Sequence, residues 1–252
     1  MRIRVESNFP DVAQRVQQFG RQGRFAAAVA LTRTVVVNVK PGMRKEMSRA
    51  FDRPTNYTLN STVTKRATKD NLEARLWLKD DIYGKGTPAD RYLSPQIFGG
   101  ERRQKGLEIA LQAARMMPPG YVAVPAVGAL LDANGNVKRG QIVQILSQLR
   151  LQRGAGYESR ATGSTRSKRT IAKQGVTYFA VPVTSRGLKP GVYLRRKFGA
   201  GSAVKPVFVY ARRATYRPLL KFFEVGEKEA VSNFPGHFDI EITKAAAGAG
   251  LR

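Results

Sequence analysis

The chain has no cysteine and one histidine, His237, among its 252 residues. Without cysteine there is no disulfide framework and no thiolate for metal or redox chemistry. One histidine cannot build a multi-histidine metal site. A triad that needs an imidazole base would have to use His237. Acid is scarce too: 18 Asp and Glu stand against 44 Lys and Arg, a formal net charge of +26. Long apolar runs are missing. The greasiest stretch, 25–39, is broken by Thr32, Arg33, Thr34 and Asn38, so nothing reaches the roughly 18 apolar residues that span a bilayer. The opening residues, MRIRVESNFPDV, lack the apolar core of a signal peptide. Yet 42% of residues are apolar, enough for a real core rather than compositional disorder. The expectation is a soluble chain with no membrane contact, no metal and no cofactor.

The positive charge is unevenly spread. From Arg150 to Arg217 there are 16 basic residues and one acid, Glu158, a net +15. From Pro218 to the end, 4 bases face 5 acids. A field of that strength attracts polyanions at long range. The anion is either nucleic acid or the acidic face of a partner protein.

The patterning predicts a mixture of helix and strand. Arg2 to Glu6 alternates as a short strand. Pro10 suits a first helical turn, followed by Val12, Val16 and Phe19, with Gly20 and Gly23 bracketing a break. Phe25, Val29, Thr32, Val36, Val39, Met43, Met47 and Phe51 then recur in steps of three and four, one face of a helix. Pro41 and Gly42 interrupt it and predict a kink or a junction of two helices. Residues 56–65 read as extended. Leu72, Ala74, Leu76 and Leu78 alternate as a half-buried strand. Glycines and prolines mark 80–100 as loop. Residues 101–117 read as a helix with Leu107, Leu111 and Ala114 inward, and 139–151 as another. Asp132 to Asn136 is a turn with Gly135 at positive φ. Residues 152–174 form a basic linker without a period. Three strands follow, 176–184, 192–198 and 204–211, with hairpin-length connections. An apolar helical tail closes the chain, jointed at Pro235-Gly236.

Catalytic constellations are weak. Ser147, Ser159, Ser164 and Ser167 lack a nucleophile-elbow context. Asp80 and Asp81 are adjacent and suit a strand exit better than a paired dyad. The Asp132, Asn134, Asn136 pattern has Val143 where a calcium loop wants its last glutamate. Gly154-Ala-Gly156 and 163–168 match neither a dinucleotide nor a phosphate loop. His237 is expected at a surface or interface rather than as a general base. No enzymatic activity is expected.

The fold class expected is α+β. An N-terminal strand and amphipathic helices pack on an antiparallel sheet, with a helical insertion and a C-terminal helix. The division is 1–80 (strand, helices and first sheet strand), 81–151 (helical insertion with long loops), 152–175 (basic flexible loop) and 176–252 (meander and closing helices, one domain with 1–80). The surface expected to face a DNA channel or a partner comprises Arg166, Lys168, Arg169, Lys173, Arg195, Arg196, Lys197, Arg212, Arg213 and Arg217. Trp77, Tyr83, Tyr92 and Phe98 are the interface aromatics.

A family resemblance rests on the run RFAAAVALTR from Arg24 to Arg33, the strand entry from Thr64 to Leu78, and the basic stretches 190–196 and 210–220 before a closing helix. In these elements and their order the chain resembles the minor tail protein Z and tail-completion proteins of tailed bacteriophages. Segments 99–108 and 132–142 resemble a block of virion proteins and look like an insertion in that plan. The resemblance implies a virion structural protein, assembled in the bacterial host cytoplasm. It would complete the tail or join head to tail, as one subunit of a ring around the DNA channel. Its implied partners are other copies of itself, neighbouring connector, adaptor or tail-tube proteins, and DNA contacted without sequence preference. The alternative is a non-catalytic nucleic-acid-binding protein using residues 150–217.

Overall fold

A computed structural model describes residues 9–80, 87–151, 175–183, 187–213 and 215–248. In chain order the elements are α1 (Phe9–Arg33), a π-helical segment (Thr34–Val39), α2 (Lys40–Ala50), α3 (Asn56–Leu59), β1 (Thr62–Lys65), β2 (Arg75–Leu78), α4 (Ala89–Phe98), β3 (Gly100–Glu101), α5 (Gly106–Ala113), β4 (Tyr121–Pro125), α6 (Arg139–Gln148), β5 (Val176–Val181), β6 (Gly191–Phe198), β7 (Gly201–Arg212), β8 (Thr215–Tyr216) and α7 (Phe222–Gly248). The fold is α+β, with antiparallel sheets and a C-terminal helix. The strand expected at Arg2–Glu6 and the linker at 152–174 lie outside the described residues.

The chain forms two compact units, residues 1–99 with 217–252, and residues 100–216. This corrects the expected division. The meander does not share a core with 1–80, and 81–151 is not a separate insertion. The inserted body is 100–216, which contains the meander together with α5 and α6.

In the first unit, α1, the π segment and α2 run antiparallel to α7. Arg33 meets Glu241 at 3.6 Å. Further along, Asn38 meets Asn233 and His237 at 2.9 Å each. Gly42 lies against Glu229, whose Cγ a Cβ there would meet at 2.9 Å. The break expected at Gly20 and Gly23 is absent, because α1 continues through both. Each glycine costs a helix about 1 kcal/mol relative to alanine, and at neither position would a Cβ meet more than ordinary contact. The joint expected at Pro235-Gly236 is also absent. Both residues lie on the exposed side of an unbroken α7.

The π segment corrects the expected apolar stripe. Besides Ala28 and Glu46, the buried positions are Ala26, Ala30, Thr34, Val39, Met43 and Met47. Their steps are four, four, five, four and four. The step of five is the wide turn itself, in which the Lys40 N–H reaches the Val35 carbonyl. Beyond Val39 the expected stripe holds. Before it the face is displaced, leaving Phe25 62% and Val36 39% exposed. The wide turn stands directly ahead of Pro41, whose ring would crowd the carbonyl four residues back in a regular helix. The expected junction is present as the π segment handing over to α2, which starts at Lys40 with Pro41 in its first turn.

Two further expectations change in this unit. Residues 56–65 divide into α3, capped by the Thr55 hydroxyl accepting from the Thr58 N–H at 3.2 Å, and β1. Residues 89–98, expected as loop, form α4, which places Leu93 beside Met43, Met47, Ala89 and Leu220 in the core.

The second unit is built on a four-stranded antiparallel sheet in the order β4-β7-β6-β5. The meander β5-β6-β7 is as expected, and β4 is an additional edge strand. One sheet face packs Tyr178, Val192, Phe208 and Tyr210 against Leu107 and Leu111 of α5 and Ile145 of α6. Ala114, expected inward, is exposed beyond the end of α5. Gly135 has the expected positive φ, +79°.

At the start of β6, Gly191 allows the closest strand approach. A Cβ there would lie 2.2 Å from the Phe208 carbonyl oxygen. Gly191→Ala is expected to force this pairing apart and to destabilise the second unit by about 1–3 kcal/mol, the usual cost of overpacking. Urea unfolding with hydrogen exchange at the β6 and β7 amides checks it.

Candidate functional site

The sheet of the second unit carries the densest described part of the basic region. From Ser159 to Phe223 the chain has no Asp or Glu, so its strands contain no acid of their own. Arg195, Arg196 and Lys197 are consecutive on β6 and all exposed. Strand alternation sends Arg195 and Lys197 to one face and Arg196 to the other. Register completes the assignment. Arg196 lies opposite Val176 and Ala203, and Leu194 lies opposite Tyr178 and Lys205. Arg196 and Lys205 therefore stand on the core-facing side of the sheet.

On the other face, Arg195 stacks on an aromatic pair. Its guanidinium carbon lies 5.2 Å from the Phe179 ring centre. The Phe179 and Tyr193 rings stack at 5.7 Å. The Tyr193 hydroxyl donates to the Lys189 carbonyl at 2.7 Å, which holds the inner ring in place. The result is a cation on a two-ring platform, worth about 0.5–1 kcal/mol in an exposed setting. Such a group can offer charge to a phosphate and a flat face to a base.

The remaining candidates are dispersed. Arg212 is exposed at the far end of β7, about 30 Å from Arg196 at the strand rise per residue. Arg213 is committed to Glu101, Nη1 to carboxylate at 2.8 Å. Arg217 belongs to the other compact unit and is exposed. Arg166, Lys168, Arg169, Lys173 and Tyr83 lie outside the described residues. Trp77 is half-buried on β2 opposite Val63. Tyr92 is half-buried within its unit, its ring 6.3 Å from Tyr57 and its hydroxyl donating to Thr58 at 3.3 Å. Phe98 is 69% exposed, with the Phe223 ring 5.8 Å away. His237 is half-buried between α7 and the π segment, where Asn38 occupies its Nε2.

Lys205 and Phe179 were not singled out from sequence. Both strands were expected, but the extent of a strand does not reveal which residues of neighbouring strands lie opposite one another. Among the described residues, no three His, Cys, Asp or Glu come together as a metal cluster, and no helix is long and apolar enough to cross a membrane. Comparison of the chain with protein-family models, curated proteins and solved structures finds no match.

Proposed function

We propose that the chain is a virion structural protein of a tailed bacteriophage, without catalytic activity, that completes the tail or joins head to tail as one subunit of a ring around the DNA channel. The observation that carries this reading is the acid-free end of the sheet. Arg195 and Lys197 project there from one face and Arg196 and Lys205 from the other, and none forms a salt bridge among the described residues. Like charges so close together repel unless an anion stands near them, and DNA in a channel supplies that anion. Exposed apolar side chains support an assembly role. Phe25, Phe98, Val127, Phe198, Phe223 and Val231 are each more than half exposed, surface that copies of the chain or a connector, adaptor or tail-tube protein would cover. Assembly would take place in the host cytoplasm, on the way to the virion.

The test is direct imaging of the purified protein together with incorporation into particles. Rings are expected in negative stain. Arg195→Glu with Lys197→Glu is expected to lower incorporation at least tenfold while the protein stays folded. A protein that remains monomeric at every concentration, and whose charge-reversed form enters particles normally, overturns the reading.

The Arg195–Phe179–Tyr193 stack favours a second reading, a nucleic-acid-binding protein acting outside a virion. Under it the isolated monomer binds single-stranded DNA tightly, and log K falls with log salt by about 0.7 per phosphate contacted. Anisotropy titrations over a salt series distinguish the two, because the ring subunit is expected to bind weakly as a monomer.

A further inference from the structure

On the core-facing side of the same sheet, beside α6, there is an open cleft of about 370 Å³. It lies between the 127–130 loop and the strands β5, β6 and β7. Its volume falls at the lower end of the range for small-molecule sites. The walls are Val127, Ala129, Leu130, Val176, Leu194 and Ala203, all apolar. Tyr178 and Gln141 form the floor. The loop is clipped to β7 by the Ala126 N–H to Val207 and the Gly128 N–H to Pro206, at 2.9 and 2.8 Å. The cleft is therefore a fixed part of the fold.

The polar groups of the floor are paired within the protein, the Tyr178 hydroxyl accepting from Gln141 Nε2 and donating to Gln144 Oε1 at 3.5 Å each. Gln141 is 3% exposed, and its amide is already engaged. Its Oε1 accepts from the Leu130 N–H at 2.7 Å, and its Nε2 donates to the Gly128 carbonyl at 2.9 Å. A guest that reaches the floor must be apolar there, since an unpaired polar atom would lose its water without a partner.

The mouth is the opposite. Among the described residues, Arg196 and Lys205 are the only charged ones lining the cleft. Register sets them diagonally across the β6–β7 pair, a separation of about 7–8 Å that long side chains bridge. Neither has a carboxylate within salt-bridge distance among the described residues. Two cations at the rim of an apolar cleft can hold one anionic head between them while the cleft takes the tail.

We infer that this cleft binds an aliphatic chain ended by a carboxylate, with the chain against Leu194, Val176 and Leu130 and the carboxylate between Arg196 and Lys205. The site is separate from the outward face of the sheet, where Arg195 and Lys197 lie, and it stands whether or not the chain is a virion subunit. Two sources share this chemistry, a free fatty carboxylate and the C-terminal leucine of a peptide.

The full-length protein is titrated by calorimetry with decanoate, decanol, decyltrimethylammonium, and N-acetyl-Leu-Leu as the free acid and as the amide. Decanoate is expected to bind at one site per chain, with decanol and the ammonium compound at least tenfold weaker. Arg196→Ala with Lys205→Ala is expected to weaken decanoate at least tenfold and leave decanol unchanged. Ala203→Trp, which fills the cleft, is expected to abolish both. Val127→Trp, at a position 80% exposed, blocks the mouth without touching the core and covers the case in which Ala203→Trp does not fold. Competition by the dipeptide acid but not its amide identifies a peptide terminus as the source; binding of decanoate alone identifies a lipid. Equal binding of decanoate and decanol, decanoate binding that survives both the charge removal and the blocking variants, or no saturable binding of decanoate, overturns the proposal.

Discussion

Glu108→Ala is expected to destabilise the second unit by about 3–5 kcal/mol, the usual cost of stripping one partner from a buried ion pair. Glu108 sits on the first turn of α5 and is completely buried. Its two oxygens accept four hydrogen bonds. Arg102 donates from Nη1 at 2.9 Å and from Nη2 at 2.5 Å. The Lys105 N–H donates at 2.7 Å, so the carboxylate closes back on the start of its own helix. The Ala123 N–H donates at 2.9 Å, which ties α5 to β4. Removing the carboxylate leaves Arg102 half-desolvated and two backbone donors unpaired. Hydrogen exchange at the β4 and β7 amides, followed through a urea titration, measures the loss.

The same group makes stability depend on pH with a definite sign. Burial pushes the Glu108 carboxyl up, but the Arg102 hydrogen bonds, the Lys105 and Ala123 amides and the Arg102 charge together hold it below its ordinary value of 4.5. A carboxyl lowered in the folded state binds its proton more readily in the unfolded chain. Its contribution is therefore complete above about pH 4.5 and is lost as pH falls through the lowered value. Glu108→Gln is expected to be less stable than wild type at neutral pH and to lose much of this acid dependence. An unchanged acid transition in Glu108→Gln would assign that dependence to other carboxylates.

Met43→Ala and Met47→Ala are each expected to destabilise the first unit by about 2–5 kcal/mol, the range for truncating a fully buried side chain of this size. Both are 0% exposed and pack with Leu93 and Leu220. Phe25→Ala and Val36→Ala belong to the same periodic series in the sequence, yet are expected to cost no more than about 0.5 kcal/mol because both side chains are exposed. The contrast tests the π turn itself. A regular helix from Phe25 to Phe51 would bury all four side chains and make the four losses similar. Trp77 is the only tryptophan in the chain and lies in the first unit, so its fluorescence follows this unfolding selectively.

Much of the local structure was legible in the residues. Apolar runs separated by hairpin-length connections located β5, β6 and β7, and the Asp132–Asn136 turn was recognisable from its glycine and its Asx side chain. The helix at 89–98 was not, because the glycines and prolines around it are the same residues that mark loops. Pro88 and Gly99 flank its ends while Pro95 lies within it, and its apolar side is filled by contact with Met43 and Leu220. The strand β4 was missed because five residues after a Pro-Pro-Gly sequence carry no periodic signal; pairing with β7 makes them a strand. The π turn was invisible in principle from periodicity. The same span offers a second apolar series in steps of three and four, and only burial distinguishes it from the series that contains a step of five.

The candidate site divides along the same line. Clustering of charge at 150–217 is a property of the sequence, and so is the absence of any acid near Arg195, Arg196 and Lys197. Which cations share a face is a property of register. Arg196 and Lys205 are nine residues apart in the chain and converge on one cleft, while Arg195, next to Arg196, stacks on Phe179 on the opposite side. Arg213, indistinguishable from its neighbour Arg212 in the sequence, is neutralised by Glu101.

By itself, then, the sequence determined the charge, the poverty of nucleophiles and metal ligands, the α+β mixture and the meander, because composition and short-range periodicity are local properties. Tertiary structure alone decided the remaining features. It inserted the body 100–216 between the two halves of the first unit, moved one face of α1 out of the core, and brought Arg196 and Lys205 to the mouth of an apolar cleft. Each of these depends on residues far apart in the chain meeting in space, and no local pattern encodes that meeting.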